Sequence, residues 1–419
     1  MSKIAPSARL REEIATFLDQ AEGNESGASA LSRLVQLATA RLVQEALEQE
    51  QTDFVGRERY VRQAGRGKRN GYVPGHLDTA EGRVSVHVPQ VREAGQPYRS
   101  ALYEFLRGHS EVVERLAVEM YARGLSTRDV EAAFTDEQGA CLLSKSAVSE
   151  LTDALWSEYE AFQQRPLGDL PVLAVFLDGV YEPLRRNGVQ REAVLVAWAI
   201  TLEGRKVLLS LALGNRESHE AWRDFLRDLT ARGVPTPLTV TTDGAPGLLR
   251  AVDEVWPRAL RLRCWVHTMR NLEAKVPAER WLEIKGALLA IREAATPAAG
   301  EEAVAGFLER YGREFPAACK SLGEDLPARV AHLQLPWRLR KFLRTTNLCE
   351  RSFVEERRRS KTLPRFFTEQ SCLKLVFATL IRAAQRWQRI AIMPLEYAQL
   401  QILYQERGLT PAQPLRQIA

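Results

Sequence analysis

The run "VLAVFL" (172–177) leads into Asp178-Gly179, and "PLTVTT" (237–242) leads into Asp243-Gly244. Both are short, apolar or β-branched and bounded by a turn dipeptide, the pattern of strands buried on both faces. Between them, "AVLVAWAITL" (193–202) and "KVLLSLAL" (206–213) flank the hairpin turn "EGRK", and "HEAWRDFLRDLTARG" (219–233) has helical spacing. A helix, "PGLLRAVDEVW" (246–256), and a strand, "ALRLRCW" (259–265), follow. The order β-β-β-α-β-α-β-α, with acids at the ends of the first and fourth strands, is that of an RNase H-like fold, although other mixed α/β folds share it.

An Asp-Gly pair after a strand is also an ordinary turn. What gives Asp178 and Asp243 chemical interest is a third acid in "TTNLCERSFVEERRRSKTLPRFF" (345–367). With Thr346 or Asn347 as helix cap, Glu350 lies in the first turn. Val354, Arg357 or Arg358, and Lys361 then follow on its stripe, with Arg365 beyond, so cations line up beside a carboxylate. Glu355 and Glu356 fall off that stripe and are expected to be surface acids. Converging carboxylates are what phosphodiester chemistry on two Mg²⁺ ions about 4 Å apart requires, since hard divalent ions take oxygen ligands.

Charge is concentrated rather than spread. The whole chain of 419 residues carries a formal +5. Residues 341–365 hold eight Lys/Arg against three acids, 8 − 3 = +5, so this segment equals the surplus of the chain. A second patch, "GRERYVRQAGRGKRNGY" (56–72), has six Lys/Arg against Glu58 and includes Arg66, Lys68 and Arg69. Two basic patches in a nearly neutral chain point to a polyanion bound along tracks, although each alone is also the pattern of a solvated face. With 45% hydrophobic residues the chain is globular and long enough for two or three domains. The N-terminal segment has acids within its apolar pattern, which argues against a signal peptide or membrane anchor, so a cytoplasmic protein is expected. Five scattered cysteines without a C-x-x-C pair argue against a disulfide framework.

The half before residue 170 is mostly helical. In "LSRLVQLATARLVQEAL" (31–47), Leu31, Leu34, Val35, Ala38, Leu42 and Ala46 share a stripe, a candidate dimer interface or an intramolecular core face. "GYVPGHLDTAEGRVSVHVPQV" (71–91) alternates at Val84, Val86 and Val88 and is expected to be a hairpin. "GLSTRDVEAAF" and "SKSAVSELTDALWSEYEAF" are two capped helices whose arrangement permits a helix-turn-helix.

Taken in order, "RNGY" (69–72), "GLSTRDVE" (124–131), "LDG" (177–179), "TTDGAPGLLRAV" (241–252), "RCWVHTMRN" (263–271), "TTNLCERSFVEERRRSK" (345–361) and "CLKLVFATLI" (372–381) resemble the bacterial insertion-sequence transposases of the mutator type, DDE enzymes related to the plant Mutator element. The resemblance covers nearly the whole chain. It implies Asp178, Asp243 and Glu350 as a metal-binding triad using Mg²⁺, with Mn²⁺ as a substitute, and a helical insertion within the 350 − 243 = 107 positions that separate the last two. Two long helical patterns, "AERWLEIKGALLAIREAA" and "AGEEAVAGFLERYGREFPAACKSL", separated by Thr296-Pro297, agree with such an insertion. Phe353 departs from the family, where many members have Asn.

Cys264 and His267 have the spacing of half a zinc site, but no second pair matches, and His332, Cys349 and Cys372 are isolated. The family carries a Cys-or-Asp, two-residue gap, His signature here, which implies support of the active site. Implied as well are DNA as partner, at element ends and target, a homodimer or higher assembly on DNA, no membrane, and a place on the bacterial nucleoid. The expected organisation is an N-terminal region for end binding and dimerisation (1–110), a helical segment (111–168), an RNase H-like core (169–272 and 341–400) interrupted by helices (273–340), and a tail (401–419). A catalytically idle DNA-binding regulator and a structure-selective nuclease remain as alternatives. No P-loop and no G-x-S-x-G motif is present, so neither ATP use nor a serine nucleophile is expected.

Overall fold

A computed structural model describes the chain except residues 1–3, 21–26, 60, 62–65, 109, 124, 136–140, 186–188, 215–217, 361–365, 367 and 412–419. It divides into two compact units, residues 1–121 with 125–152, and residues 122–124 with 153–419.

In the first unit α1 (Pro6–Gln20) and α2 (Gly27–Val55) precede an antiparallel hairpin of β1 (Lys68–Thr79) and β2 (Gly82–Arg92). The hairpin lies where the alternating valines place it. Val84 and Val86 pack against Ala40 and Leu47 of α2, and buried Gln44 bonds to both the N–H (2.7 Å) and the carbonyl (2.9 Å) of His87. The buried face of α2 therefore runs Leu37, Ala40, Gln44, Leu47, Gln51, with two polar residues matched to sheet backbone. Leu31, Val35 and Leu42, from the stripe that the sequence suggests, are exposed.

After α3 (Ala101–Leu106) and α4 (Glu111–Ala122), α5 (Thr127–Ala133) starts with a reciprocal capping box between Ser126 and Asp129. The next helix, α6 (Lys145–Gln164), starts at Ser144, whose hydroxyl accepts from the Ala147 N–H. The connection between them, 134–144, is 11 residues long and contains a bridge between Thr135 and Cys141. A helix-turn-helix has a turn of only about 3–4 residues.

The second unit is built on β3 (Val172–Arg185), β4 (Val189–Thr201), β5 (Lys206–Gly214), α7 (His219–Ala231), β6 (Thr239–Thr242), α8 (Pro246–Val255), β7 (Leu260–Arg263) and α9 (Trp265–Glu273). The sheet order is β5-β4-β3-β6-β7; β3, β4 and β5 are antiparallel neighbours, whereas β3, β6 and β7 run parallel. The fold is thus mixed α/β and α-rich. Contrary to the sequence expectation, β3 does not end at Asp178. It continues to Arg185 because β4 pairs along its length, with Asp178 opposite Val196.

Helices follow: α10 (Ala278–Arg292), α11 (Pro297–Tyr311), α12 (Pro316–Gly323), α13 (Leu326–Val330), a 3₁₀ turn (Ala331–Gln334), α14 (Trp337–Leu343), α15 (Asn347–Ser360), α16 (Glu369–Arg386) and α17 (Pro394–Glu406). The second long helical pattern breaks into α11 and α12 because Pro316 can start a helix but not continue one. With α9, helices α10–α12 bury Ile284, Leu288, Val304, Phe307 and Leu322 in a core of their own.

Each sheet face has its own core. Val175, Leu177 and Val240 pack with Trp222 and Phe225 of α7 and Leu248 of α8. Ala174 and Phe176 face the opposite layer, with Cys349 and Phe353 of α15 and Cys372 and Val376 of α16. Coverage on both faces explains why β3 and β4 are nearly continuous apolar runs. Among the described residues, no helix is long and apolar enough to cross a membrane.

Candidate active site

The pairs Ala174↔Thr239, Val175↔Val240 and Phe176↔Thr241 keep a constant offset of 65. The last pair of this register is Phe176↔Thr241. Asp178 lies two residues further along β3, and Asp243 one residue past the end of β6; paired strands lie about 4.8 Å apart. Residues of equal parity on one strand share a face, so Asp178 belongs to the face of Ala174 and Phe176, the one covered by α15. The Asp243 carboxylate accepts the Ala245 N–H (3.0 Å), turning the chain into α8. Gly244 has φ +94°, and a Cβ there would fall 1.1 Å from Nη1 of Arg263, so only glycine admits that guanidinium over the turn.

Glu350 comes to this face from the first turn of α15, its N–H bonded to the Thr346 carbonyl (2.9 Å). Cys264 anchors that turn. Its N–H bonds to the Thr242 carbonyl at the end of β6 (2.8 Å), and its sulfur accepts from both the N–H and the hydroxyl of Thr346 (3.3 Å each). From α9, Arg270 grips the Glu350 carboxylate with two N–H groups (2.7 and 3.3 Å), and His267 Nε2 stands 3.4 Å from it. His267 Nδ1 lies 3.4 Å from the Thr346 hydroxyl oxygen. Spacing explains the arrangement: residues three apart share a helix face, so the side chain that follows His267 by three reaches the same acid.

Electrostatics tie these groups into one cluster. The His267 imidazole is pushed up to about 9 by its hydrogen bond to Cys264, which outweighs burial, with the charges of Cys264, Asp178 and Glu350 adding to it. Burial pushes the Cys264 thiol up, but His267 and the two bonds from Thr346 more than offset this and hold it below its ordinary value. Cys349 is driven far up by complete burial, then by the negative charges of Asp178, Cys264 and Glu350, and stays a neutral thiol. His267 therefore feels the charges of Cys264, Asp178 and Glu350 together. Asp243 lies one residue past the end of β6, the strand whose Thr242 carbonyl Cys264 holds.

The rest of α15 departs from expectation in part. Val354, Arg357 and Arg358 are exposed along the Glu350 stripe, as the spacing implies, while Lys361 and Arg365 lie outside the described residues. Glu356 is not a surface acid: it is fully buried. Phe353 is buried too, in the core beneath the helix, so the departure from the family falls on packing rather than on the acid-bearing face. Of the N-terminal basic residues, Arg66 is exposed and Lys68 pairs with Glu93 (2.5 Å). Arg69 is half-buried and bonded to Thr52 Oγ1 (3.0 Å) and the Arg57 carbonyl (2.8 Å), a staple between α2 and the hairpin.

Residues 11–390 match the model of the family described as Transposase, Mutator family. The chain belongs to the Mutator family of transposases. It is 32% identical over 349 residues to the transposase for insertion sequence element ISRM5 of Rhizobium meliloti (strain 1021), covering 83% of this chain and 86% of that one. It is 33% identical over 350 residues to the transposase for insertion sequence element IS406 of Burkholderia multivorans, covering 83% and 89%. With the transposase for insertion sequence element IS1201 of Lactobacillus helveticus the identity is 28% over 343 residues, covering 81% and 92%.

In this member of the transposase family, the site also includes Arg270 and Arg263, which the sequence does not single out, and the bond between Thr346 and Cys264, while Cys349, isolated in the sequence, lies in the core beside it. Arg270 is within its reach: it stands in the quoted "RCWVHTMRN", one helical turn after His267. Arg263, Thr346 and Cys349 depend on how β7 and α15 meet, which no local spacing shows.

Proposed function

We propose that the chain is a DDE transposase that cleaves DNA at the ends of an insertion sequence and joins the freed 3′-hydroxyl to target DNA. The observation that supports this reading is the parallel register of β3 and β6, whose last pair, Phe176↔Thr241, stands two residues before Asp178 and Asp243 alike, on the sheet face covered by the helix that brings Glu350. The β5-β4-β3-β6-β7 order, three antiparallel strands extended by two parallel ones, supports an RNase H-like core, with α10–α14 as the helical insertion before the Glu350 helix.

The donor chemistry suits Mg²⁺ or Mn²⁺: three carboxylates are hard oxygen ligands. Among the described residues, no three His, Cys, Asp or Glu side chains are already arranged to hold a metal, and the Glu350 carboxylate is engaged by Arg270 and His267. Asp178 and Asp243 would hold the metal first, and Glu350 would complete the set on exchanging Arg270 for it. Bound there, the metal supplies charge neutralisation at the phosphate and a more acidic water or 3′-hydroxyl.

The chain's own residues do the remainder. Exposed Arg357 and Arg358 hold the DNA backbone along α15, and the base of that helix is fixed by Cys264 and Thr346. Arg66 and Lys68 add phosphate contacts from the hairpin. Pairing of two element ends calls for a dimer, and the exposed Leu31, Val35 and Leu42 of α2 offer an apolar stripe for it. Leu31→Glu with Leu42→Glu should then halve the mass measured by light scattering.

The deciding experiment incubates DNA carrying the ends that flank this gene with the protein and Mg²⁺ or Mn²⁺, alongside Asp243→Asn and Glu350→Gln. Joined products from wild type alone support the proposal. Nicks without joining would make the protein a nuclease, and binding without cleavage would make it a regulator.

A further inference from the structure

A cavity of about 320 Å³ opens beside the start of α15, with Lys206, Lys341 and Arg351 in its wall together with the rings of Phe342 and Trp387 and the amide of Asn347. Its described lining contains no acid. Trp387 is held in place by Trp198, with ring centroids 4.6 Å apart, and the Lys341 ammonium lies 4.8 Å from the Phe342 centroid. A second cavity, about 670 Å³, shares Lys206 and Trp387 and adds Arg165, Arg205 and Arg389 against one acid, Glu158, so the two adjoin as a mainly basic and aromatic groove. Gathering cations is unfavourable unless an anion completes the set; burial, then Arg351, holds the Lys206 ammonium below its ordinary value.

The groove lies close to the acids. Ile200, in the cavity wall, pairs with Ala174, and Val196 pairs with Asp178, a separation of four residues along β4, or about 13 Å at ~3.3 Å per residue. On α15, Asn347 and Arg351 flank Glu350 in sequence.

We propose that this cavity takes one unpaired nucleotide of the DNA strand a few positions from the cut, its base against Trp387 and Phe342 and its phosphates on Lys206, Lys341 and Arg351. The proposal rests on the reading of the chain as a DNA transposase and adds a substrate form to it. A cavity of 320 Å³ is at the lower limit of ligand pockets, about 300–1,000 Å³, and excludes a duplex. Stacking on aromatic rings beside a basic track accepts any base, the way single strands are bound without sequence preference. Asn347 offers both a donor and an acceptor to a base edge.

The test uses the full-length protein in EDTA, so that no strand is cut. Binding is measured for a blunt duplex carrying an element end, and for the same duplex with a short single-stranded extension containing 2-aminopurine. Wild type should bind the extended DNA about tenfold more tightly and quench the probe. Lys341→Ala with Arg351→Ala, both exposed and so compatible with folding, should reduce that gain to about twofold or less. The same pair should lower the slope of log affinity against log salt by about one to two. Trp387→Leu, checked for an unchanged melting transition, should abolish quenching. Equal wild-type binding of blunt and extended DNA overturns the pocket alone, as does a double variant that keeps the gain. Failure to bind either DNA overturns the transposase reading with it.

Discussion

Two groups of acids hang on the same strand and the same helix. Asp178 and Glu182 lie four apart on β3, Glu350 and Glu356 six apart on α15. The first group opens to solvent through Glu350, whose side chain is 19% exposed and is gripped by the 61% exposed Arg270. The second is sealed: Glu182, Glu192 and Glu356 are buried, with Glu182 directly opposite Glu192 in the β3–β4 register. Together with burial, which acts first, they push the Cys372 thiol upward. Acids opposed on paired strands are unfavourable unless the surrounding fold satisfies them, so such a group is tied to its packing. On the proposed function, chemistry would use the first group because its acids are open to exchange with water, metal or DNA. The second can exchange nothing without opening the core.

The largest test of that contrast is to neutralise one acid of each kind. Asp243→Asn and Glu350→Gln should lower cleavage by about a thousandfold or more and leave the melting temperature nearly unchanged, because a reaction that needs oxygen ligands has lost one. Glu356→Ala should do the reverse. Deleting a fully buried side chain leaves a cavity and strips its neighbours of a polar partner, at about 3–5 kcal/mol, or a fall in melting temperature of roughly 3–6 °C for a chain of 419 residues, with activity per folded molecule retained. Were Glu356→Ala to melt like wild type and lose cleavage, the two groups would have to be merged into one site.

Histidines repeat the contrast. His267, beside the open acids, is pushed up, whereas buried His332 is lowered to about 4, chiefly by desolvation, then by the nearby Arg344 and Arg340 charges. His332 Nε2 lies 2.9 Å from the Arg292 carbonyl oxygen, while Nδ1 stands 3.1 Å from the Arg329 carbonyl oxygen and 3.3 Å from Trp265 Nε1, which also donates to that carbonyl (3.1 Å). Between about pH 6.5 and pH 4 the unfolded chain binds a proton that the folded chain refuses. Stability therefore falls as pH drops through that window, by at most ~3 kcal/mol, and is flat below it. His332→Gln removes this dependence. In urea unfolding, the advantage of wild type over the variant should shrink by about 2–3 kcal/mol between about pH 7 and pH 4.5; an unchanged difference would show that His332 protonates freely in the fold.

Legibility in the sequence follows distance along the chain. The strands of the sheet, the hairpin at Val84–Val88 and the capped helices come from periodicities and caps spanning a few residues, and they lie where those signals put them. Gly179 makes Asp178 read as a strand end, yet pairing with β4 carries the strand seven residues further. On α15 the helical spacing separates Glu356 from the Glu350 stripe, but it does not tell whether the other face meets solvent or α16. The same ambiguity misplaces the face of α2: its buried side is held by Gln44 and Gln51, polar residues whose partners are backbone groups of β2. Burial is settled by the element that arrives from elsewhere in the chain.

The smallest effect bears on the contact that distinguishes the open group most directly, the Arg270–Glu350 pair. An exposed ion pair contributes little to stability, since water and salt screen it. Its consequence lies in competition. A guanidinium that holds both carboxylate oxygens must leave before they can bind a cation, and it adds positive charge where that cation would sit. Arg270→Gln should therefore tighten Mn²⁺ binding by about fivefold, measured by electron paramagnetic resonance on the DNA-free protein, with Asp178 and Asp243 intact. Glu350→Gln in the same background should remove the gain, because the oxygens that were released are gone. Weaker Mn²⁺ binding by Arg270→Gln would give Arg270 the opposite role, a brace that aims Glu350 at the aspartates, and the open group would then owe its geometry to a fixed partner much as the buried one does.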